Sequence, residues 1–566
     1  MSLRIWLPLN GDLRNNGIDD VTITNNGATV DNNGKIGKCY YFNGSSYIDT
    51  GCTESIGTGD FTISAWVYIT QAGKTYQCIV GNKSTGAASV GFALYWNPNQ
   101  KKFLWSTADG TGATEIWSMN TFDDIIYNSW HHIVMIRNSN DSKIGYFYLD
   151  GIRKEIASTP SIRNITSANT IKIGSVYPTA TSYYFTGKIN DLRIYDHALS
   201  EKEIKKISQG LILHYPLNRN GFGQENLLKN SHTKLDNAGY YVGTYSFADP
   251  SELVTGEKYT FSFNGELQDE TQTGWHFNIF PSPYTGIAQP VTEPTGRYSC
   301  TFTMPENGGN RTSIGCYSTP IGNRKGCAIW DVKLEKGEKA TPWCPNSADT
   351  IYTTLGLDDN IEYDMSGYER NAIRYNGITF DSDSPKFNSS TVFNSSTYSY
   401  IKCDSNDWMV PMTEMTIFCW CYMDDWTQFG QGYGRLWSCT EGGGFNVEWL
   451  NSKMEFAVCT SPSGYLPSEA KCGVTLSDLT SGWHLFIYVY TTAGTRLYID
   501  GNLYKSYEIT SNYVTYNTNA RLFLGCEANT ASPYSPYFKG KMSDFRIYAT
   551  ALSQADIAEL YSIHRS

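Results

Sequence analysis

The stretch Phe185-Thr186-Gly187-Lys188-Ile189-Asn190-Asp191-Leu192-Arg193-Ile194-Tyr195 decides the fold of this chain, because it returns as Phe538-Lys539-Gly540-Lys541-Met542-Ser543-Asp544-Phe545-Arg546-Ile547-Tyr548. Three further motifs precede each copy in the same order: Phe61–Tyr68 and Met415–Tyr422, then Asn128–Ile133 and Ser481–Leu485, then Tyr146–Gly151 and Arg496–Gly501. The intervals are kept as well. Trp66 lies 64 residues before Trp130, and Trp420 lies 63 residues before Trp483. The chain therefore contains two copies of one domain-sized unit.

Alternation of apolar and polar residues within these motifs predicts β-strands. In Phe61–Ile69 every second residue is apolar, which is the period of a strand with one buried face. Asp150-Gly151 and Asp500-Gly501 each lie between apolar runs, where Asp-Gly favours a tight hairpin. Helices are expected only after the last strand of each copy, where Ser200 and Ser553 are suited to N-capping. The sequence predicts an all-β, multi-domain chain of antiparallel β-sandwiches.

The order of the four motifs resembles laminin-G-like jelly rolls, which are concanavalin A-like sandwiches. The resemblance covers roughly residues 1–210 and 355–566, and we predict one jelly roll at 1–209 and a second at 351–566. Sandwiches of this kind carry lectins, adhesion modules, glycosidases and inert spacers on one scaffold. The resemblance therefore implies a fold and does not select one function.

Residues 222–350 interrupt the repeat and predict a third module. This segment begins with Glu225–Ser231 and ends with Trp330–Trp343, and this pair of end motifs resembles the carbohydrate-binding-module-like β-sandwiches of bacteriophage tail, fibre and baseplate proteins. Between the end motifs, Glu257–Phe263 and Gly296–Phe302 alternate as strands. We predict a central β-sandwich here.

The connection between the modules allows two architectures. Gly210–Asn218 repeats the pattern of Leu3–Asn10, the first strand of a jelly roll. The second jelly roll then begins at 210–218, and the middle module is inserted after that strand. In the alternative, the domains follow one another and Ile351–Leu357 supplies the strand. We favour the insertion.

Composition excludes several classes of protein. The net charge of −11 disfavours nucleic acid as a partner, which needs a basic face. The chain lacks an apolar run of about 18 residues, so membrane insertion is not expected, and Met1–Trp6 begins directly as a strand without a signal-peptide pattern. We expect synthesis in a host cytoplasm. The 14 cysteines do not recur between the two copies, which favours reduced, buried thiols over a disulfide framework.

The sequence shows no catalytic constellation. Concanavalin-like glycosidases carry two glutamates in a Glu-x-Asp-x-x-Glu type run, and this run is absent, as is a Gly-x-Ser-x-Gly elbow. Trp130-His131 and Trp483-His484 invite a catalytic or metal-binding interpretation, but a shared position at a strand start is more typical of packing. We predict that the protein is not an enzyme.

Recognition of a saccharide needs an exposed aromatic ring flanked by polar groups, because the ring stacks on the sugar while polar groups bind its hydroxyls. The candidate ligand-binding residues are Trp275, Phe277, Asn278 and Tyr284 in the middle module, Trp96 and Trp105 in the first jelly roll, and Trp437 in the second. Further aromatic candidates are Tyr95, Trp426, Tyr433 and Trp449. For each, the alternative is a buried core side chain. We favour the middle module, because binding sites are expected where the two copies diverge.

The resemblance also implies calcium as a cofactor candidate, because laminin-G-like folds often hold one ion at the sandwich rim through aspartates and backbone carbonyls. Loop aspartates such as Asp19, Asp20, Asp358 and Asp359 are more often solvated turn residues, so we assign no metal ligands.

The favoured function is that of a phage or prophage virion component, in a tail fibre, baseplate or appendage, that binds glycans of a host cell surface. Its partners are then cell-surface polysaccharide and other virion proteins, with a homo-oligomer allowed. One alternative is a structural or decoration protein of the virion that binds only other subunits. The other is a bacterial surface adhesin or a polysaccharide-active enzyme.

Overall fold

The computed structural model describes most of the chain. The described residues are 3–19, 21–53, 56–71, 73–86, 88–112, 114–118, 125–139, 145–154, 162–177, 181–218, 226–231, 233–237, 240–267, 271–281, 287–290, 295–306, 311–320, 327–337, 340, 346, 361–385, 389–429, 435–439, 443–450, 453–461, 464–465, 471–511, 513–517, 519–529 and 532–563.

The first jelly roll consists of two facing antiparallel sheets followed by one helix. Its strands are β1 (Leu3–Leu7), β2 (Thr24–Asn26), β3 (Thr29–Asp31), β4 (Cys39–Asn43), β5 (Tyr47–Asp49), β6 (Phe61–Ile69), β7 (Gln77–Gly81), β8 (Val90–Asn97), β9 (Lys102–Asp109), β10 (Thr114–Ser118), β11 (Ser129–Arg137), β12 (Gly145–Leu149), β13 (Ile152–Lys154), β14 (Lys172–Ile173) and β15 (Thr186–Tyr195), and its helix is α1 (Glu201–Ser208). The first sheet has the order β13-β12-β11-β6-β15-β4-β3, with β1 also paired to β15, and the second has the order β10-β9-β8-β7-β14-β5-β2. Ser200 caps α1, as predicted, in a capping box with Glu203.

The chain then forms β16 (Leu211–Tyr215), and the strands of the middle module follow it in sequence. The strands of the middle module are β17 (Leu235–Asn237), β18 (Tyr241–Ser246), β19 (Lys258–Leu267), β20 (Gly274–Phe280), β21 (Ile287–Pro290), β22 (Thr295–Thr303), β23 (Ser313–Thr319) and β24 (Cys327–Lys336). They form two four-stranded sheets of order β17-β24-β19-β22 and β18-β23-β20-β21, around one apolar core.

The second jelly roll repeats the topology of the first. Its remaining elements are β25 (Ile361–Glu362), β26 (Ala372–Tyr375), β27 (Thr379–Asp381), β28 (Ser390–Phe393), β29 (Tyr400–Cys403), β30 (Glu414–Met423), β31 (Trp437–Ser438), β32 (Phe445–Leu450), β33 (Lys453–Ser461), β34 (Gly464–Tyr465), β35 (Cys472–Thr475), β36 (Gly482–Thr491), β37 (Gly494–Ile499), β38 (Asn502–Glu508), β39 (Leu522–Leu524), β40 (Cys526–Asn529), β41 (Ser532–Tyr537), β42 (Gly540–Tyr548) and α2 (Gln554–Ile563). One sheet has the order β27-β28-β42-β30-β36-β37-β38, and the other has the order β25-β26-β29-β39-β31-β32-β33-β34 with β35 also on β33. The predicted all-β, multi-domain fold of antiparallel sandwiches is confirmed.

Strand β16 belongs to the sheet of the second jelly roll. It pairs antiparallel with β42, just as β1 pairs with β15 in the first copy, and both pairs have a bulge near the start. This pairing is the one that the insertion architecture requires. The alternative strand at 351–357 lies outside the described residues.

The predicted equivalence of the repeated motifs is confirmed by the strand registers. On the β6–β11 pair, Trp66 lies opposite His132 and Trp130 lies opposite Tyr68. On the β30–β36 pair, Trp420 lies opposite Leu485 and Trp483 lies opposite Tyr422. The Asp-Gly hairpins correspond as well, because Asp150 and Asp500 have positive φ angles of 50° and 52°.

The two jelly rolls are packed against each other through apolar side chains. Three residues of the first copy belong to the core cluster of the second: Trp6, Ile36 and Trp66. The ring of Trp6 lies 5.4 Å from that of Tyr368, edge to face. Burial of this kind is typical of domains that do not move freely against each other.

Candidate functional site

The structure places the candidate aromatic residues of the middle module in its core. Trp275 and Phe277 are fully buried, and Asn278 is 2% exposed. Trp275 packs edge to face on Phe263 with 5.2 Å between ring centroids. The prediction that these three side chains form an exposed platform is wrong, because they are enclosed by the sandwich. Tyr284 lies outside the described residues.

The candidate residues of the two jelly rolls are buried as well. Trp96 and Trp105 are 0% exposed and Trp437 is 1% exposed, so the prediction of an exposed platform is wrong for these residues too. Trp105 stacks on Phe92 inside the first sandwich, with 4.9 Å between ring centroids. Trp437 contacts Phe545 of the facing sheet at 5.7 Å. Each indole fills the space between two sheets, where apolar area is removed from water.

Strand alternation brings a different set of rings to the surface of the middle module. Strand β20 directs Trp275 and Phe277 inward, so His276 between them faces outward. The register places His276 opposite Tyr317 on β23, and Tyr317 opposite Tyr241 on β18. Three rings therefore form one row across three strands. Tyr240, which precedes β18, joins this row, and we call these four residues the aromatic face.

Close ring contacts hold the aromatic face together. His276 stacks on Tyr317 with 4.9 Å between centroids and 10° between planes. Tyr241 lies 5.2 Å from Tyr317, and Tyr240 lies 5.3 Å from the same ring. The hydroxyl of Tyr240 and Nε2 of His276 are 3.1 Å apart, within hydrogen-bond distance. These contacts hold the rings of the aromatic face in place.

The aromatic face is partly exposed to solvent. Tyr241 is 44% exposed, and Tyr240, His276 and Tyr317 are half-buried. Burial lowers the pKa of His276 from its usual value of 6.5, which favours the neutral imidazole. The face therefore offers apolar rings bordered by hydroxyl and imidazole groups, the combination that stacks on a sugar and binds its hydroxyls.

The sequence contained one usable signal for this face. The alternation that predicts strands also predicts that Trp275 and His276 point to opposite sides of the sheet, so one of these two rings is expected at the surface. In the adjacent pair Tyr240-Tyr241, at least one ring is likewise expected on the exposed side. The size of an aromatic side chain does not indicate on which face of the strand it lies, so Trp275 is core and His276 is surface.

The repeated Trp-His motif is structural in both copies. His131 Nδ1 lies 2.8 Å from Asp150 Oδ2, and the backbone N–H of His132 donates to the other oxygen of Asp150. In the second copy, His484 Nδ1 lies 2.7 Å from Asp500 Oδ2, and Leu485 N–H donates to Oδ1 of the same residue. Each aspartate thus ties its hairpin to the neighbouring strand. His131 and His484 are 4% and 8% exposed, which agrees with their interpretation as packing residues.

His132 is fully buried in the first jelly roll, whereas the second copy has Leu485 at this position. Burial lowers the pKa of His132 to about 4 from 6.5. The unfolded chain binds a proton below pH 6.5 while the folded chain does not, so stability falls as the pH drops from 6.5 towards 4. Through His132, the unchanged chain should lose about 2–3 kcal/mol of stability between pH 7 and pH 4.5, at about 1.4 kcal/mol per unit of pKa difference. The variant His132→Leu should not show this loss. Urea unfolding at both pH values measures this. An unchanged pH dependence in the variant would contradict the assignment.

Metal binding finds little support in the described part of the chain. There, no group of three or more His, Cys, Asp or Glu side chains is arranged to hold an ion. Asp19 accepts a hydrogen bond of 2.7 Å from Arg4, a cation that competes with calcium. Asp20, Asp358 and Asp359 lie outside the described residues. Of the 13 described cysteines, 12 are buried and Cys300 is partly exposed.

The paired sandwiches define the class of this protein as a tandem jelly-roll protein. A family model described as the Concanavalin A-like lectin/glucanases superfamily, of laminin G type, matches residues 42–205 and 395–558, more than half of the chain. The chain belongs to this superfamily. No helix among the described residues is long and apolar enough to cross a membrane.

Several solved structures are similar to this chain at low sequence identity. The binding domain of Paraclostridial Mosquitocidal Protein 1 is 12% identical with a TM-score of 0.32, over 91% of this chain and 92% of that one. Domain 4 of AbnA, a GH43 extracellular arabinanase from Geobacillus stearothermophilus in complex with arabinotriose, is 21% identical with a TM-score of 0.28, over 37% of this chain and 98% of that one. The CBM40 of the Ruminococcus gnavus IT-sialidase is 14% identical with a TM-score of 0.25, over 33% and 98%. No curated protein sequence matches the chain.

Proposed function

We propose that this protein binds glycans and that the aromatic face of the middle module holds the saccharide. The observation that carries the proposal is the row of Tyr241, Tyr317 and His276 across three strands, with Tyr241 44% exposed. Membership of a lectin-containing superfamily supports it. Aromatic rings held in advance lose little entropy on binding, which favours them as a platform.

We place the function with binding and not with catalysis. The His–Asp pairs that a catalytic interpretation would use hold backbone hydrogen bonds in both copies. The acidic composition, with a net charge of −11, supports a neutral or polar ligand over nucleic acid.

The setting that we propose for this binding is a phage or prophage virion, where the protein attaches the particle to a host-cell glycan. The end motifs Glu225–Ser231 and Trp330–Trp343, which resemble those of phage tail and baseplate modules, support this setting. Immunogold electron microscopy of particles from a lysate, with an antibody against the purified chain, tests it. Label on a tail or appendage is the expected result, and label only on host debris would contradict it.

Tyr241→Ala should weaken glycan binding without weakening the fold. Loss of one stacked ring is expected to cost roughly 1–3 kcal/mol of binding, which is about 5-fold to 150-fold in affinity. The measurement is a glycan array followed by calorimetric titration of the best ligand. Tyr398→Ala is the control, because Tyr398 is an exposed tyrosine (58%) on the second jelly roll. Equal affinity of both variants and the unchanged chain would contradict the proposed face.

A further inference from the structure

One row of side chains crosses the outer face of the first sheet of the first jelly roll. Tyr68 directly follows Val67, a fully buried core residue, so the ring of Tyr68 points to the opposite face of the sheet. The strand registers place Trp130 of β11 on one side of Tyr68 and Lys188 of β15 on the other. On the next strand, β4, Tyr41 lies opposite Lys188. We call these four surface residues the outer row: Trp130, Tyr68, Lys188 and Tyr41.

The outer row reaches solvent, and contacts between its side chains hold it together. Tyr41 is 37% exposed, and the other three residues are partly exposed. Trp130 packs edge to face on Tyr68, with 5.6 Å between ring centroids. Lys188 Nζ lies 5.2 Å from the centroid of the Tyr68 ring, a cation–π contact. Because all four side chains reach solvent, a ligand can lie across them without entering a cavity.

The outer row offers hydrogen bonds without an uncompensated charge. Asp31 Oδ2 lies 2.9 Å from Lys188 Nζ, and the two charges offset each other. An ammonium group has three donors, and a carboxylate accepts through both oxygens, so the pair can still bind hydroxyl groups of a ligand. Aromatic rings beside such a pair suit a neutral sugar, because the rings stack on its apolar side and the polar groups bind its hydroxyls.

The second jelly roll repeats most of the outer row. Trp483 and Lys541 lie opposite Tyr422 on the two neighbouring strands, as the registers of β36, β30 and β42 show. The rings of Trp483 and Tyr422 are 5.5 Å apart, and Lys541 Nζ lies 4.5 Å from the Tyr422 ring. At the far end of the row, however, Val392 stands opposite Lys541 where the first copy has Tyr41. The second copy therefore lacks the most exposed ring.

A further carboxylate also distinguishes the second copy. Lys541 Nζ lies 3.0 Å from Asp381 and 3.3 Å from Asp383, whereas the lysine of the first copy has one aspartate beside it. The indole N–H of Trp483 donates to Asp383 Oδ2 at 3.1 Å, so this donor is used within the protein. The copies thus diverge at an exposed surface, where function rather than fold is expected to reside. These differences favour the first copy as the binding site.

We propose that the outer row of the first jelly roll is a second saccharide site, which takes a neutral oligosaccharide without carboxylate or sulfate groups. The sugar rings lie on Trp130, Tyr68 and Tyr41, and the Lys188–Asp31 pair binds hydroxyl groups between them. The inference rests on the proposed glycan binding, but it concerns a different domain and a narrower class of ligand.

The test uses the full chain carrying Tyr241→Ala, which removes one ring of the proposed aromatic face. The probes are the neutral oligosaccharide that binds best on the glycan array and an oligogalacturonate, an anionic sugar. Addition of Tyr41→Val or Trp130→Ala should weaken binding of the neutral probe about fivefold or more. The matched control is Tyr513→Val, at a tyrosine of the second jelly roll that is 48% exposed, and it should bind like Tyr241→Ala alone.

The variant Tyr41→Val keeps the test decisive if Trp130→Ala folds poorly. The second copy has Val392 at the equivalent position of its own sheet, so the fold accommodates valine there. Equal affinity for the neutral probe with and without Tyr41→Val would overturn the inference. Tighter binding of the oligogalacturonate than of any neutral oligosaccharide, or an array without a neutral ligand, would overturn it as well.

Hydroxyl-radical footprinting of the unchanged chain, measured by mass spectrometry, reports on the two faces separately. The neutral probe should protect Trp130 and Tyr41 from oxidation. Protection of Tyr241 without protection of these two residues would overturn the outer-row site and leave the aromatic face standing. Protection of Trp130 and Tyr41 without protection of Tyr241 would overturn the aromatic face and leave the outer-row site standing.

Discussion

Replacing Arg374 by alanine is expected to destabilise the second jelly roll by about 3–5 kcal/mol, the cost of leaving one partner of a buried ion pair alone. Arg374 is 4% exposed and Glu362 is 0% exposed. The guanidinium group binds Oε2 of Glu362 through Nη2 at 2.6 Å and Nε at 3.0 Å. Burial raises the pKa of Glu362, and Arg374 opposes that rise. Without the arginine, the carboxyl group is either charged and unpaired or protonated, and both states cost free energy.

The Arg374–Glu362 pair also binds the backbone just after β16. Leu217 N–H donates to Glu362 Oε1 at 2.8 Å, and Arg374 Nη2 donates to the carbonyl oxygen of Asn218 at 2.8 Å. Loss of Arg374 therefore frees the end of β16 as well as the carboxyl group. We expect amide hydrogen exchange at 211–218 to rise along with the loss of stability.

Urea unfolding of the full chain measures the Arg374→Ala effect, and Arg14→Ala serves as the control. Arg14 pairs with Glu369 at 2.6 Å, but both side chains are about half exposed or more (49% and 64%). Exposed pairs contribute about 0–1 kcal/mol, so the control should unfold close to the unchanged chain. If the two variants lose the same stability, the buried Arg374–Glu362 pair does not stabilise the second jelly roll more than an exposed pair does.

Trp275→Ala should destabilise the middle module by about 3–5 kcal/mol, the range for removing a large aromatic side chain from a core. The indole packs on Phe263 at 5.2 Å and on Tyr298 at 5.0 Å. It also fills the space above Gly265, where an added Cβ would lie 2.7 Å from the ring. Alanine leaves a cavity between the two sheets that neighbouring rings cannot close.

Thermal unfolding and glycan affinity, measured on the same sample, separate this core role from a role in binding. Trp275→Ala should lower the melting temperature of the middle module and leave affinity per folded molecule unchanged. Tyr241→Ala, in the same module, should do the reverse. A Trp275→Ala protein that melts like the unchanged chain but fails to bind glycan would show that the ring is a platform after all.

The repeated strands were predictable because their evidence is local. In β6, alternation from Phe61 to Ile69 indicates a strand, and recurrence of the same motif from Met415 shows that the pattern belongs to a fold. The hairpins at Asp150 and Asp500 followed from the positive φ that Asp-Gly allows. The pairing of β16 with β42 also had a sequence signal, the likeness of Gly210–Asn218 to Leu3–Asn10. Each of these inferences needs only a short stretch of chain or a comparison between two stretches.

The candidate site was harder to predict because its residues come together only through pairing of distant strands. In β8, from Val90 to Asn97, nearly every residue is buried, so alternation does not reveal that Trp96 faces the core. His276 and Tyr241 lie in one row because both pair with Tyr317 on β23. No local sequence pattern predicts this pairing.

The sequence by itself determined the strands, the turns and the duplication, since backbone period and residue preference are properties of neighbouring residues. Only the tertiary structure decided which faces are covered, because burial depends on what packs above a sheet. That is why Trp275 is core and why Tyr241 is surface.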